Sequence, residues 1–437
     1  GYGDLIIGAP EAAWEGAELE GSYEAGQHTG AAMIVLGPVT GELDLDAADA
    51  WIQGTFVERG RISAYTGWSV AGVGDTNGDG FDDVLVGSPY YYYDGVEATE
   101  NYNGMAGLFL GPVEGVQDLW SADATWDAHS YCAWIGYDVA GADVNGDGLA
   151  DLLIGAPFGD LAGQEWGEVH VLTGPVQGGL EASDAAAILT TGAYADAAGS
   201  TVSSAGDVDG DGLDDVLVGA PSDSSMEERS GAAYLVIAPL AGTMMLEDAH
   251  LVLKGESRYE YLGDALSGAG DLDADGYDDF VLGQWNVGAH GSLGAAFVFY
   301  GDALGGPSGT TTTAAADATV SGAGSDDQVA GAVAGAGDID GDGCADLFLG
   351  RNAYRGSETN EGTSWLVLGP IEGHRTVDDV ASARFSGVDA GDQAGVTIAG
   401  AGDVDADGLD DLLIGAPGQD HGGEDAGAAY LVLAAGL

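Results

Sequence analysis

The chain has 437 residues, 45% of them hydrophobic, and its 9 Lys and Arg residues stand against 73 Asp and Glu residues, which gives a formal net charge of −64. Nucleic acids and anionic membranes are bound mainly through Lys and Arg, so this composition excludes both as partners. No apolar run approaches the ~20 residues of a membrane-spanning helix, and two cysteines are too few for a disulfide framework.

The chain opens on residues 1–4, the end of an acidic loop that recurs in full at residues 75–83, 143–151, 207–215, 271–279, 338–346 and 403–411. Each full loop follows the pattern D-x-[DN]-x-D-G-x-x-D. Positions 1, 3, 5 and 9 carry side-chain oxygens, position 7 offers a backbone carbonyl, and the Gly at position 6 allows a sharp turn. Carboxylates crowded in this way repel one another unless a cation binds. The loops therefore predict about six structural calcium sites.

The same scheme names the candidate calcium ligands in every loop. Asn replaces Asp at position 3 of the first two loops, and Cys344, at position 7 of the fifth, is interpreted as a small buried apolar residue. Strand-like sequence flanks the loops, which argues against an EF-hand, and six regular copies argue against solvated acidic turns. The predicted ligands are Asp75, Asn77, Asp79, Phe81, Asp83, Asp143, Asn145, Asp147, Leu149, Asp151, Asp207, Asp209, Asp211, Leu213, Asp215, Asp271, Asp273, Asp275, Tyr277, Asp279, Asp338, Asp340, Asp342, Cys344, Asp346, Asp403, Asp405, Asp407, Leu409 and Asp411.

Each period, roughly 65 residues long, predicts four short strands, which we call A to D. Strand A precedes the loop and is rich in small residues, as at 201–206, whereas strand B follows the loop as an apolar run, as at 216–218, and usually ends in Gly-Ala-Pro. An unbroken apolar run predicts burial on both faces. Strand C follows a variable segment, as at 233–237, and strand D is short, as at 51–54. Segments such as 44–50 and 305–316 are interpreted as C-to-D connections, and the second is low in complexity.

The two ends of the chain do not complete the pattern. The sequence contains seven B and seven C strands but six A and six D strands, because it starts at strand B of the first period and stops at strand C of the last. Sheet edges need partners. We therefore expect the chain to be part of a longer one.

Three elements together resemble the FG-GAP repeat of the integrin α-chain β-propeller. They are an apolar-Gly pair before strand A, such as Ile135-Gly136 or Leu262-Gly263, then the acidic loop, then Gly-Ala-Pro after strand B. In Ala198-Gly199 and similar pairs mainly the glycine is kept. The resemblance covers residues 1–437 and implies one all-β domain, a seven-bladed β-propeller of four-stranded antiparallel blades with incomplete first and last blades. It also implies calcium loops on one face and ligands on the opposite face, which we call the ligand face.

The segments expected on the ligand face, B-to-C and D-to-A, carry aromatic and basic residues. Exposed Tyr and Trp favour binding because they supply contact area at low entropic cost. The same rings can instead fill loop cores, and the arginines can pair with local carboxylates. The candidate ligand-binding residues are Tyr90, Tyr91, Tyr92, Tyr93, Tyr131, Trp134, Arg59 and Arg61.

We expect a calcium-stabilised interaction or adhesion module of bacterial type that binds a protein or a glycan. Millimolar extracellular calcium fills even weak sites, which favours a secreted or cell-surface location. The alternative is a polysaccharide-acting hydrolase or lyase on the same propeller. The sequence lacks G-x-S-x-G, H-E-x-x-H and Walker motifs, and its 7 histidines are scattered. A glycosidase pair of carboxylates is nevertheless compatible with so acidic a chain.

Overall fold

The protein is an all-β propeller with seven blades, described by a computed structural model in which seven sheets follow one another along the chain. This architecture confirms the predicted fold class. Among the described residues, no helix is long and apolar enough to cross a membrane. The structure describes residues 2–12, 29–54, 64–90, 103–127, 133–159, 167–180, 184–192, 196–285, 293–324, 327–351, 360–420 and 426–434.

Strands and short helical turns alternate with loops throughout these residues. The turns are 3-10 helices at Leu45–Ala47, Leu119–Ser121, Leu246–Asp248 and Thr313–Ala315, and one α-helical turn, α1 (Val377–Val380). The strands are β1 (Leu5–Ala9), β2 (Ala31–Val35), β3 (Ala50–Gln53), β4 (Val70–Gly74), β5 (Asp83–Ser88), β6 (Met105–Phe109), β7 (Gly115–Asp118), β8 (Ala124–Trp126), β9 (Val139–Ala142), β10 (Asp151–Ala156), β11 (Glu168–Leu172), β12 (Gly178–Leu180), β13 (Ala187–Thr190), β14 (Thr201–Gly206), β15 (Asp215–Ala220), β16 (Ala232–Val236), β17 (Gly242–Met245), β18 (Leu251–Lys254), β19 (Ala265–Gly270), β20 (Asp279–Gln284), β21 (Ala295–Phe299), β22 (Gly309–Thr311), β23 (Ala318–Ser321), β24 (Val329–Gly337), β25 (Asp346–Arg351), β26 (Thr363–Val367), β27 (Gly373–Thr376), β28 (Ala381–Ser386), β29 (Thr397–Gly402), β30 (Asp411–Ala416) and β31 (Ala428–Val432).

Each complete blade repeats one antiparallel order, A-B-C-D. In blade 4 the order is β14-β15-β16-β18, and blades 2, 3, 5 and 6 follow it with β4-β5-β6-β8, β9-β10-β11-β13, β19-β20-β21-β23 and β24-β25-β26-β28. Blade 1 begins at strand B (β1-β2-β3), and blade 7 ends at strand C (β29-β30-β31). The described residues thus contain the predicted seven B and C strands and six A and D strands.

The C-to-D segments, which the sequence identified only as connections, contain further strands. Five of them contain a strand, β7, β12, β17, β22 or β27, that pairs in parallel with the D strand of the preceding blade. In blade 4, for example, Gly309 of β22 pairs with Leu251 of β18. These strands are short and mostly exposed, so their sequences carry no apolar pattern. Each one covers an outer edge that would otherwise be unpaired and joins two neighbouring blades.

Glycines of the recurring pairs lie where neighbouring blades touch. A Cβ atom on Gly87, at the end of strand B in blade 2, would lie 2.1 Å from the carbonyl oxygen of Gly136, which begins blade 3. The same clash, at 2.2 Å, would occur between Gly155 and Gly199 one blade further on. Only glycine allows this approach of two backbones. The apolar-Gly pair and the Gly-Ala-Pro are therefore two halves of one contact between blades.

Backbone hydrogen bonds join the acidic loops in series. From the second full loop onwards, the backbone N–H at position 8 donates to the carbonyl oxygen at position 1 of the preceding loop, as from Ala150 to Asp75 (3.0 Å) and from Asp214 to Asp143 (3.0 Å). Gly3 holds position 8 of the truncated loop and donates to Asp403 (2.8 Å), which links blade 7 to blade 1.

The core lies mainly between the blades. Val169 and Val171 of blade 3 pack in one buried cluster with Val216 and Val218 of blade 4. Every residue of β10 and of β15 is buried. Burial of strand B on both faces, predicted from its apolar run, is thus confirmed for these two blades.

Candidate metal centres and ligand face

The acidic loops fold around their own carboxylates. In the loop at 207–215, the Asp207 carboxylate accepts hydrogen bonds from the backbone N–H of Asp211 (2.9 Å) and of Gly212 (2.9 Å). Asp211 in turn accepts one from the N–H of Leu213 (3.0 Å). All six full loops repeat the bonds from position 6 to position 1 and from position 7 to position 5. The loop pattern therefore sets a tight turn with its acidic side chains drawn inward.

The closing aspartate at position 9 has a second role, which sequence reasoning missed. Asp215 is fully buried. Its carboxylate accepts hydrogen bonds from the N–H of Val208 (3.1 Å), at the start of the loop, and of Ala238 (2.9 Å), just after strand C. Asp4 makes the second bond, to Gly37 (2.8 Å), although its own loop is truncated. The available signal was the Gly-Pro or Ala-Pro that often follows strand C, because most of these donors precede the proline.

Four of the loops gather carboxylate oxygens closely enough to share a cation. In each, among the described residues, one oxygen from each of three aspartates lies within 4.8 Å of the others. Oxygen atoms that bind one Ca²⁺ at about 2.3–2.6 Å must lie within about 5 Å of each other. These groups are Asp207, Asp209 and Asp211; Asp271, Asp273 and Asp279; Asp338, Asp340 and Asp346; and Asp403, Asp405 and Asp411.

The electrostatics of the loops favour a cation. Burial, together with the charges of Asp209 and Asp211, raises the pKa of Asp215 to about 7. Burial likewise raises the pKa of Asp279 to about 7 and that of Asp151 to about 6, again with loop carboxylates adding to the effect. Negative charge on these closing aspartates is therefore unfavourable, and a bound cation would relieve it.

The first two loops differ because position 3 is Asn. The Asn145 amide donates to both carboxylate oxygens of Asp151 (3.2 and 3.1 Å), and the Asn77 amide donates to Asp79 (3.0 Å). In these two loops the Asn amide thus donates to loop carboxylates. In the four other loops position 3 is Asp, whose ionised side chain has no proton to donate.

Position 7 side chains lean towards the preceding loop at the rim. A Cβ atom on Gly146 would lie 2.6 Å from a methyl carbon of Leu213, and one on Gly210 would lie 2.6 Å from the ring of Tyr277. Cys344 is half-buried, not buried as predicted, because this rim is open to solvent. The charges of Asp342 and Asp271 add to partial desolvation in raising the pKa of its thiol.

On the ligand face, the structure brings two predicted residues together. The rings of Tyr90 and Trp134 lie 4.9 Å apart, centroid to centroid, and Tyr90 also contacts Tyr65 (5.2 Å) and Trp68 (5.6 Å). Tyr90 and Trp134 are half-buried, so their rings pack in a loop core and still meet solvent, and a role of these rings in binding stays a prediction. The other candidates lie outside the described residues: Tyr91, Tyr92, Tyr93, Tyr131, Arg59 and Arg61.

Trp68 and Tyr137 extend this aromatic cluster towards the inner strands, and sequence reasoning missed both. Trp68 is 40% exposed, and its ring lies 5.6 Å from that of Tyr137. Each is the residue directly after the glycine of an apolar-Gly position, Gly67 and Gly136. That position, where strand A begins, was the signal that could have found them.

Acidic side chains lie beside these rings. Asp138 accepts hydrogen bonds from the Ser69 hydroxyl (2.8 Å) and the Val202 N–H (2.8 Å), and so connects blades 2, 3 and 4 where their A strands begin. Burial raises the pKa of Tyr137 to about 12, with further contributions from Tyr90, Asp264 and Asp138. Asp264 belongs to blade 5. The inner part of the ligand face therefore combines an aromatic wall with carboxylates from two blades.

The chain is similar to known proteins over much of its length. A family model described as "FG-GAP repeat" matches residues 66–106, 135–172, 198–236, 330–367 and 394–432. Integrin alpha-V of Gallus gallus is 29% identical over 233 residues, and Integrin alpha-5 of Xenopus laevis is 30% identical over 238 residues. Each alignment covers 51% of this chain and 20% of the relative, so the chain spans about a fifth of their length. A solved structure titled "Structure of Dos1 propeller" gives a TM-score of 0.38 at 11% identity, covering 79% of this chain and 66% of that one.

Proposed function

Because the chain carries five FG-GAP repeats and is homologous to integrin α chains, we propose that it is a cation-stabilised adhesion propeller. Its loop face would hold Ca²⁺, and its ligand face would bind a protein partner. The observation that carries the proposal is the coexistence of these repeats with aspartate groups whose oxygens lie within 4.8 Å of one another. A calcium-dependent module of this kind would work outside the cell, where calcium is millimolar.

The residues present fit calcium better than softer metals. Every full loop offers side-chain oxygen donors at positions 1, 3, 5 and 9. At position 7 the predicted donor is the backbone carbonyl oxygen, so Cys344 is expected to contribute its carbonyl oxygen and not its sulfur. Oxygen-rich, multiply charged sites of this type suit Ca²⁺, whereas Zn²⁺ is bound mainly by Cys and His. The predicted ligands of each of the six full loops would hold one Ca²⁺ ion. The ion would supply positive charge where the carboxylates repel one another.

The ligand face suits a protein partner that presents a cationic side chain. Trp68 and Tyr137 offer ring faces, and Asp138 and Asp264 lie close to Tyr137. A Lys or Arg side chain is attracted both by aromatic faces and by carboxylates. The chain's net charge of −64 would also steer basic partners towards it.

A matched pair of tryptophan variants tests the ligand face. Trp68→Ala removes a ring that is 40% exposed on this face, and Trp120→Ala removes one that is 46% exposed in a C-to-D connection. Immobilised basic peptides and a glycan array serve as probes at millimolar calcium. We expect Trp68→Ala to weaken peptide capture about tenfold and Trp120→Ala to leave it unchanged. Equal effects of the two variants, or capture of glycans alone, would contradict the proposal.

The polysaccharide-acting enzyme stays a prediction that the same array tests. Any glycan that is captured can be incubated with the protein and analysed for new reducing ends or unsaturated sugars. Cleavage that persists after repurification would favour the enzyme.

A further inference from the structure

Blade 4 contains a buried cluster of ionisable groups on the ligand face, away from the acidic loops. Asp196, in the D-to-A segment that leads into β14, is 5% exposed, and Asp223, in the B-to-C segment after β15, is 2% exposed. The two residues are held side by side, because the Ser222 N–H donates to the Asp196 carbonyl oxygen (3.2 Å), and the side-chain contact with Asp223 is one of the causes that raise the pKa of Asp196. Two carboxyl groups can bond directly only if one of them carries a proton.

The surrounding groups balance one charge but not two. The Lys254 ammonium donates to Asp223 (2.9 Å) and to the hydroxyl of the buried Tyr234 (3.2 Å). Asp223 also accepts hydrogen bonds from the N–H (3.0 Å) and hydroxyl (2.6 Å) of Ser225. The pair Asp223 and Lys254 is therefore neutral and well bonded. An ionised Asp196 would add an unpaired negative charge to this buried site.

The carboxyl groups at the equivalent positions of two other blades have different hydrogen-bond partners. Glu260 and Asp392, like Asp196, stand two residues before the apolar-Gly position of their blades. Glu260 accepts hydrogen bonds from the N–H of Glu256 (2.7 Å) and Ser257 (2.8 Å), and Asp392 accepts them from Val388 (2.9 Å) and Asp389 (2.8 Å). Backbone donors of this kind suit an ionised carboxylate. Asp196 instead faces a carboxylate.

We propose that Asp196 and Asp223 share one proton, and that this proton makes a pH-sensitive latch between residues 196–200 and residues 222–231. In acid the protonated Asp196 donates to Asp223 and the two segments are held together. When the proton is lost, Asp196 faces Asp223 and Glu247 with only Lys254 to balance them, and the two segments separate more readily. A backbone hydrogen bond from Ser222 to the Asp196 carbonyl (3.2 Å) is the contact that opening would break.

The direction of the pH dependence follows from the titration. Burial, with the charge of Asp223, raises the pKa of Asp196 to about 6, and Lys254 and Glu247 act on it in opposite directions. A carboxyl group whose pKa is raised in the closed form favours that form fully below its ordinary pKa of ~3.9, and the advantage is lost as pH rises through 6. Between pH 5 and pH 8 the opening equilibrium should therefore increase about tenfold.

The latch lies on the face proposed above to bind a partner, so its regulatory meaning rests on that proposed function. Release at neutral pH would loosen two ligand-face segments of blade 4, and acid would order them. The latch itself can be tested without a ligand, so its failure and the failure of the proposed function are distinguishable.

Amide hydrogen exchange at saturating calcium, corrected for intrinsic rates, tests the latch at pH 5 and pH 8. The wild type should lose about tenfold protection at residues 196–200 and 222–231 on going to pH 8. Asp196→Asn, whose amide donates at any pH, should stay protected at both. Asp392→Asn, the control at the equivalent position in blade 7, should retain the wild-type response in blade 4. A wild type without this pH response, or the same response in Asp196→Asn, would overturn the proposal.

Lys254→Met provides a second test, in which the midpoint pH of the exchange transition is measured. A lysine with a purely structural role would leave this midpoint unchanged. Removal of the ammonium group should raise the midpoint pH of the exchange transition by at least one pH unit, because less positive charge opposes protonation. A variant that is merely less protected at every pH, with an unchanged midpoint, would show that the lysine holds the segments without affecting a shared proton.

Discussion

The two faces of the ring obey different rules. On the loop face, the carboxylates at positions 1 and 5 of each full loop bond to backbone groups of the same loop, as Asp207 does with Gly212, and the longer-range bonds of the closing aspartates repeat from blade to blade. On the ligand face the decisive contacts join distant parts of the chain, as when Ser69 donates to Asp138 or the Tyr90 ring meets Trp134. A face built from local bonds repeats with its motif, whereas a face built from contacts between blades can vary from blade to blade. The first is suited to stability and the second to recognition.

Removal of cations should have the largest effect, and it acts on the loop face. Several loops would lose an ion that offsets carboxylate repulsion, and each site occupied at 100 times its Kd contributes about 2.7 kcal/mol. We expect the melting temperature to fall by about 10 °C or more in EGTA and to recover with excess Ca²⁺ but not with Mg²⁺. Scanning calorimetry measures the shift. A melt that is the same with and without chelator would remove the distinction between the two faces.

Within the loop face, the closing aspartate should matter more than the exposed ligands once cations are absent. Asp215→Ala leaves the buried N–H groups of Val208 and Ala238 without an acceptor. We expect it to lower the free energy of unfolding by about 3 kcal/mol, both in calcium and in chelator. Asp211→Ala removes an exposed carboxylate and should cost less than about 1 kcal/mol in chelator, but more in calcium. Urea unfolding under both conditions separates the two. Equal costs in chelator would mean that the closing aspartate acts only as a ligand.

The same contrast explains what could be predicted from the sequence. Strands A to D and the loops were predictable because apolar runs, glycines and alternating aspartates are local signals, and strand 201–206 was placed to the residue. Strand β22 was not, because Gly309 and its neighbours are exposed and pair only with a previous blade.

The role of Asp215 at strand C and the cluster of Trp68 with Tyr137 were also missed. Each depends on residues that are far apart in the chain and meet only after the blades form. No periodic pattern records such contacts. The fold was therefore more accessible from the sequence than the ligand face.

The smallest expected effect tests whether loops on one face are interchangeable. Asn145→Asp removes the amide that donates to Asp151 and makes the loop resemble the four all-aspartate loops. The added charge should strengthen Ca²⁺ binding at this loop about three- to tenfold, and should lower stability without cation by about 1 kcal/mol or less. Asp209→Asn is the reciprocal variant and should shift both quantities in the opposite direction. Calcium titration calorimetry of the chelated protein, followed by unfolding in EGTA, measures them. Tighter binding from both variants would mean that position 3 tunes the loops through something other than charge, and that the loop face is less uniform than its motif.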